Sequence, residues 1–125
     1  MRSLSIVVLC LVAAMGVGCS FHARSAEDYR RETRALLESR NSDIKSCYDA
    51  ALKADPKVSG VVVVKFTVEA ETGNIVNPQS VAGRTSAPEG LTQCVITALG
   101  GLSLQPPDAR NGDAEYTWEF EVNQS

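Results

Sequence analysis

The sequence predicts a small two-layer α+β domain, a three-stranded antiparallel sheet with two helices packed on one face. Three observations predict it. Tyr29 to Leu52 and Leu91 to Leu102 carry apolar residues at helical spacing, whereas Gly60 to Glu71 and Glu115 to Val122 alternate with a period of two. Each of these segments is apolar on one side only, so helices and strands bury their stripes against one another. The order is helix, strand, strand, helix, strand.

Ser25-Ala26-Glu27-Asp28 is a capped helix start, because a serine hydroxyl accepts from the unpaired N–H groups of a first turn. Leu36, Leu37, Ile44, Cys47, Tyr48, Ala51 and Leu52 then share one stripe, which buries Cys47. Asn41-Ser42-Asp43 leaves open whether 27–53 is one helix or two, since Ser42 and Asp43 are better caps than interior residues. Asp55-Pro56 ends the segment, because the residue before proline is driven out of the α region.

In the first strand Val62, Val64, Phe66 and Val68 face the core, and Lys65, Thr67, Glu69 and Glu71 face out. Val61 and Val63 interrupt the polar face and read as scattered surface valines rather than as a partner surface. Thr72-Gly73-Asn74 is a hairpin turn, and Ile75 to Val81 returns as a strand whose Pro78 marks an edge or irregular position. Ser86-Ala87-Pro88-Glu89 opens the next helix, with Leu91, Cys94, Val95, Ala98 and Leu102 inward, and Gly100-Gly101 loosens or ends it. After a loop from Gln105 to Ala114, Tyr116, Trp118, Phe120 and Val122 face inward. Glu115, Thr117, Glu119 and Glu121 face out.

Ahead of this domain, residues 1–18 read as a signal peptide, with Arg2 in a positive first region and an apolar stretch from Leu4 to Met15 too short to span a bilayer. Gly16-Val17-Gly18-Cys19 resembles a bacterial lipobox, although Gly16 stands where leucine is usual. Cys19 is then the acylated residue, 19–26 a tether and 27–125 a single domain. The rival expectation is cleavage near Ala23-Arg24-Ser25 and release of a soluble secreted protein. Net charge is −3, from 12 Lys and Arg against 15 Asp and Glu. An acidic balance argues against nucleic acid and against a polybasic grip on anionic lipid, leaving membrane contact to the acyl chains.

Cys10 leaves with the signal peptide and Cys19 takes the lipid, so Cys47 and Cys94 remain as candidates for one disulfide in an oxidising compartment. Closing a loop of about 47 residues is worth roughly 4 kcal/mol by loop-closure entropy. Enzymatic and metal chemistry find little support. His22 is the only histidine and lies in the tether, so no Ser-His-Asp or Cys-His arrangement can be assembled around it. The carboxylates Glu69 and Glu71, like Glu119 and Glu121, decorate polar strand faces and define no cleft. Asp108-x-x-Asn111-Gly112-Asp113-x-Glu115 lacks EF-hand spacing and reads as an exposed acidic turn. No cofactor, metal site or small-molecule substrate is expected.

Taken in order, Cys47-Tyr48-x-x-x-Leu52, Asp55-Pro56-x-x-x-Gly60 before a valine-rich strand, the Thr72-Gly73-Asn74 turn, Cys94-x-x-x-Ala98 and Pro106-Pro107 form a pattern. It resembles the AgmX/PglI C-terminal domain family, itself similar to the C-terminal domain of TonB. The resemblance covers about Ile44 to Val122. It implies a non-enzymatic envelope module, in some relatives part of gliding-motility machinery, and in the TonB relatives a last strand that receives a partner's extended segment. The chain departs from the family at Leu102 and Leu104, where Trp and Phe are common, and at Gly100-Gly101. It also lacks the long proline-rich spacer of TonB, since Ser20 to Ala26 reaches at most about 25 Å when extended.

Two functions of different class follow. The first is a lipid-anchored periplasmic binding module, more readily at the outer membrane because Ser20 after Cys19 is not an inner-membrane retention signal. It docks an extended, basic segment of an envelope protein along Glu115, Thr117, Glu119 and Glu121. The second is a disulfide-stapled structural lipoprotein whose edge glutamates repel strand pairing.

Overall fold

The centre of the molecule is β1 (Gly60–Val68), which pairs antiparallel with β2 (Ile75–Ser80) on one side and β3 (Gly112–Phe120) on the other, giving the order β2-β1-β3. The computed structural model describes residues 23–122. The segments read by sequence as a signal peptide and a lipobox, Cys19 and His22 lie outside the described residues. Val62, Val64, Phe66 and Val68 are each at most 3% exposed, so the alternation in the sequence does select the core face. The α+β two-layer expectation holds.

Three helices cover that face among the described residues: α1 (Ala26–Glu38), α2 (Asn41–Ala54) and α3 (Glu89–Ala98). Ser25 caps α1 by accepting from the Asp28 N–H, as its sequence signature implies. The segment 27–53 is thus two helices, but the break falls at Ser39-Arg40 rather than at Asn41-Ser42-Asp43. Ser39 and Arg40 turn their N–H groups back to carbonyls of the last turn of α1, and α2 restarts with no side-chain cap. The bend lets Leu37 and Ile44 enter one core with Val95, Leu99, Trp118 and Phe120. Tyr48 closes the lower edge, its ring centroid 5.1 Å from that of Phe120 and its hydroxyl donating to the Val58 carbonyl.

Cys47 and Cys94 form a disulfide that staples α2 to α3, with Cα atoms 5.7 Å apart. Only Cys47 lies on a buried stripe. Cys94 is exposed on the flank of α3, so its predicted inward position is corrected. Ser86 does not cap α3 either: Pro88 occupies the cap position, and the Ser86 hydroxyl accepts from the Val61 N–H. It belongs to a strap, Val81 to Ala87, that hydrogen-bonds along β1 at Val61 and Val63. Val63 is therefore 2% exposed and not a surface valine.

The hairpin between β1 and β2 turns through Glu71 and Gly73, both with positive φ, and a bulge adds one residue to β2 between Gln79 and Val76. Asn77 (φ 53°) and Pro78 occupy it, which matches the irregularity expected of Pro78. The last strand is displaced from its expected span of Glu115 to Val122. It begins at Gly112 because Val68 and Thr67 extend far enough to pair with Gly112 and Asp113, and it stops at Phe120 because its partner Gly60 is the first residue of β1. Val122 consequently leaves the core and is 37% exposed. No helix among the described residues is long and apolar enough to cross a membrane.

Candidate functional site

Backbone direction decides which groups of β3 are available. Val61 and Val63 direct their N–H and C=O groups to the strap, away from β3. Directions alternate along an antiparallel pair, so the even residues of β1 serve β3 and are matched there by Gly112, Ala114, Tyr116, Trp118 and Phe120. The N–H and C=O groups of Asp113, Glu115, Thr117 and Glu119 then point to the free edge of the sheet. The β2 edge is a poorer template, being short, bulged and interrupted by Pro78.

Of the residues expected at this edge, Glu115, Thr117 and Glu119 lie on β3 with exposed side chains on the open face of the sheet. Glu115 is already engaged, its carboxylate 2.9 Å from the Arg84 guanidinium. Glu121 lies past the end of β3, where no strand is left to pair, and drops out of the predicted set. On the core side Tyr116 and Trp118 pack as a tilted pair with ring centroids 4.7 Å apart, which stiffens the strand.

Between α1 and the first half of β3 runs a groove of about 560 Å³. Its wall on one side is Tyr29, Arg30, Thr33 and Arg34; on the other it is Gly112 to Tyr116. The approach is close at one end, where a Cβ on Gly112 would press against the Tyr29 ring and hydroxyl, so a larger residue there would have to displace the Tyr29 side chain.

Arg24 and Asp108 hold the floor at that end. The Arg24 backbone N–H donates to Asp108 Oδ2 at 2.9 Å, its Nε donates to Glu32 at 3.0 Å, and its Nη2 donates to the Pro106 carbonyl at 2.7 Å. Both side chains are almost wholly buried, at 1% and 2% exposed. The folded unit thus extends to Arg24, a residue assigned by sequence to the tether, and Asp108 is a buried anchor, not part of an exposed acidic turn. Burial pushes the Asp108 carboxyl up, but N–H donation from Arg24, Arg110 and Ala109 with the Arg110 charge outweighs it and holds the group below its ordinary value. Desolvation, then the Asp108 charge, raises the Tyr29 hydroxyl.

Three polar atoms of this groove are buried without a hydrogen-bond partner among the described residues: Arg24 Nη1, Tyr29 Oη and Thr33 Oγ1. Sequence reasoning missed all three residues. A contact spanning 84 positions has no periodic signature, and Arg24 sits beside a helix cap that looks complete without it.

No family model matches the sequence, and no curated protein matches it. The AgmX/PglI resemblance therefore rests on the order of motifs alone. Among solved structures, the NMR solution structure of the Helicobacter pylori TonB C-terminal domain (residues 179–285) aligns with 11% identity and a TM-score of 0.48, over 83% of this chain and 100% of that chain.

Proposed function

We propose that this chain is a non-enzymatic protein-binding module of the bacterial envelope that docks an extended partner segment by adding it as a fourth strand beside β3. One observation carries the reading: a nine-residue strand at the edge of the described sheet keeps the N–H and C=O groups of Asp113, Glu115, Thr117 and Glu119 directed away from β1. Such groups supply affinity, and the exposed Glu119 favours a basic side chain on the open face of the sheet. The module is anchored through acyl chains on Cys19, facing the periplasm at the outer membrane.

Thr117→Pro and Glu119→Pro each delete one outward N–H and leave the ladder to β1 intact. Both proteins are expected to keep the buried-tryptophan emission of Trp118 and to lose capture of the envelope partner retained by wild type from detergent-solubilised membranes. Retained capture by both folded variants overturns the edge reading. In the native host, Cys19→Ala is expected to move the protein out of the detergent phase; unchanged partitioning, with no mass increase in the wild type, overturns the lipid anchor.

A further inference from the structure

We infer that the groove between α1 and β3 is the acidic-side-chain subsite of the docked strand, so the partner segment carries Asp or Glu at alternate residues where it passes the first half of β3. This deepens the edge-docking reading and rests on it. The groove opens along the same stretch of β3 that offers outward backbone groups, because Asp113 and Glu115 line it together with α1. A strand laid beside β3 shows alternate side chains to the two sides of the sheet. Those on the open side meet Glu119, and those on the other side meet α1.

The α1 side is built to receive negative charge. Arg30, Arg34 and Arg110 line it, all exposed and none with an ion pair among the described residues. The acids nearby are committed: Asp108 accepts the Arg24 and Arg110 backbone N–H groups, Asp113 accepts from the Thr67 hydroxyl, and Glu115 is paired to Arg84. At the floor, Thr33 Oγ1, in a residue 4% exposed, and Tyr29 Oη have hydrogens to donate and no hydrogen-bond acceptor among the described residues, while Arg24 Nη1 stands 3.7 Å from Asp108 Oδ2, ion-paired but without a hydrogen bond. Buried donors left unpaired are costly, and a carboxylate offers two oxygens that accept from several donors at once. Water alone satisfies the orphans without using the arginines; a carboxylate uses both.

The test uses the full chain, exported and disulfide-intact, with three fluorescein-labelled octapeptides that alternate threonine with glutamate, glutamine or lysine, read by fluorescence anisotropy. The threonine–glutamate peptide is expected to bind at least about fivefold more tightly than the glutamine peptide, as charge-assisted bonds exceed neutral ones. Arg30→Glu and Arg34→Glu, both on the exposed face of α1, are expected to remove that preference without changing the Trp118 emission. A glutamine or lysine peptide binding as well as the glutamate one, a preference that survives both charge reversals, or no binding of the glutamate peptide overturns the inference. Thr117→Pro separates it from edge docking. Loss of all peptide binding in that variant, with no preference for glutamate in wild type, leaves the edge standing without the acidic subsite. An arginine-dependent preference that Thr117→Pro does not weaken leaves the subsite standing and removes the edge.

Discussion

Arg24 and Asp108 show how much one buried pair can determine. Their side chains are nearly inaccessible, and the Asp108 carboxylate accepts the Arg24 and Arg110 backbone N–H groups as a charged acceptor, while Arg24 keeps Glu32 as a second partner; Asp108→Asn is expected to cost about 2 kcal/mol of unfolding free energy, measured by urea denaturation. The pH dependence has a definite sign. Because the folded Asp108 carboxyl lies below its ordinary value, its contribution is complete above the ordinary aspartate range and fades as pH falls through the lowered folded value. Wild type should therefore lose stability on that acid side more steeply than Asp108→Asn. Thr33 offers the opposite case: Thr33→Val removes an orphaned hydroxyl at nearly constant shape, and the expected result is a gain of about 1 kcal/mol in stability together with weaker binding of the glutamate peptide. A loss of stability in that variant would mean the hydroxyl has a partner in solution. None of these three residues could be read from spacing, because each owes its role to a tertiary neighbour.

Among the elements, the strands were the most legible and their ends the least. Val62 to Val68 and Tyr116 to Phe120 alternate because each packs one face only, and the structure keeps that parity. The limits of β3 depend instead on where β1 begins and ends, which local pattern does not encode. The same holds for Ser86 and Val63, whose fates are set by the strap over β1. Two elements invite measurement. Gly73 has φ 75°, and a Cβ there would meet the Leu104 carbonyl oxygen at 2.0 Å, so Gly73→Ala is expected to destabilise the domain by about 2 kcal/mol or more. A denaturation midpoint equal to wild type would show that the turn can rearrange. The α2–α3 disulfide spans 47 residues, and replacing Cys47 and Cys94 together by serine is expected to lower stability by roughly 2 to 4 kcal/mol. Mass-mapping of the exported protein under non-reducing conditions should recover the two residues linked.

At the scale of the molecule, a one-sided sheet with helices on its apolar face leaves two places for a partner strand, and the fold spoils one of them. β2 is short, bulged and carries Pro78, whereas β3 is regular over nine residues and stiffened from beneath by Tyr116 and Trp118. The edge residues Glu115, Thr117 and Glu119 were legible as an outward polar set. The groove beside them was not, since it forms between segments more than seventy residues apart in the chain. Strand addition engages the backbone groups of β3, so amide hydrogen exchange followed residue by residue reads it out. In the free protein, the amides of Asp113, Glu115, Thr117 and Glu119 should exchange fast while those of Ala114, Tyr116, Trp118 and Phe120 are protected by β1, and on adding the captured partner the first four should slow as well. Fast exchange of those four amides in the saturated complex, unchanged from the free protein, would contradict strand addition at β3.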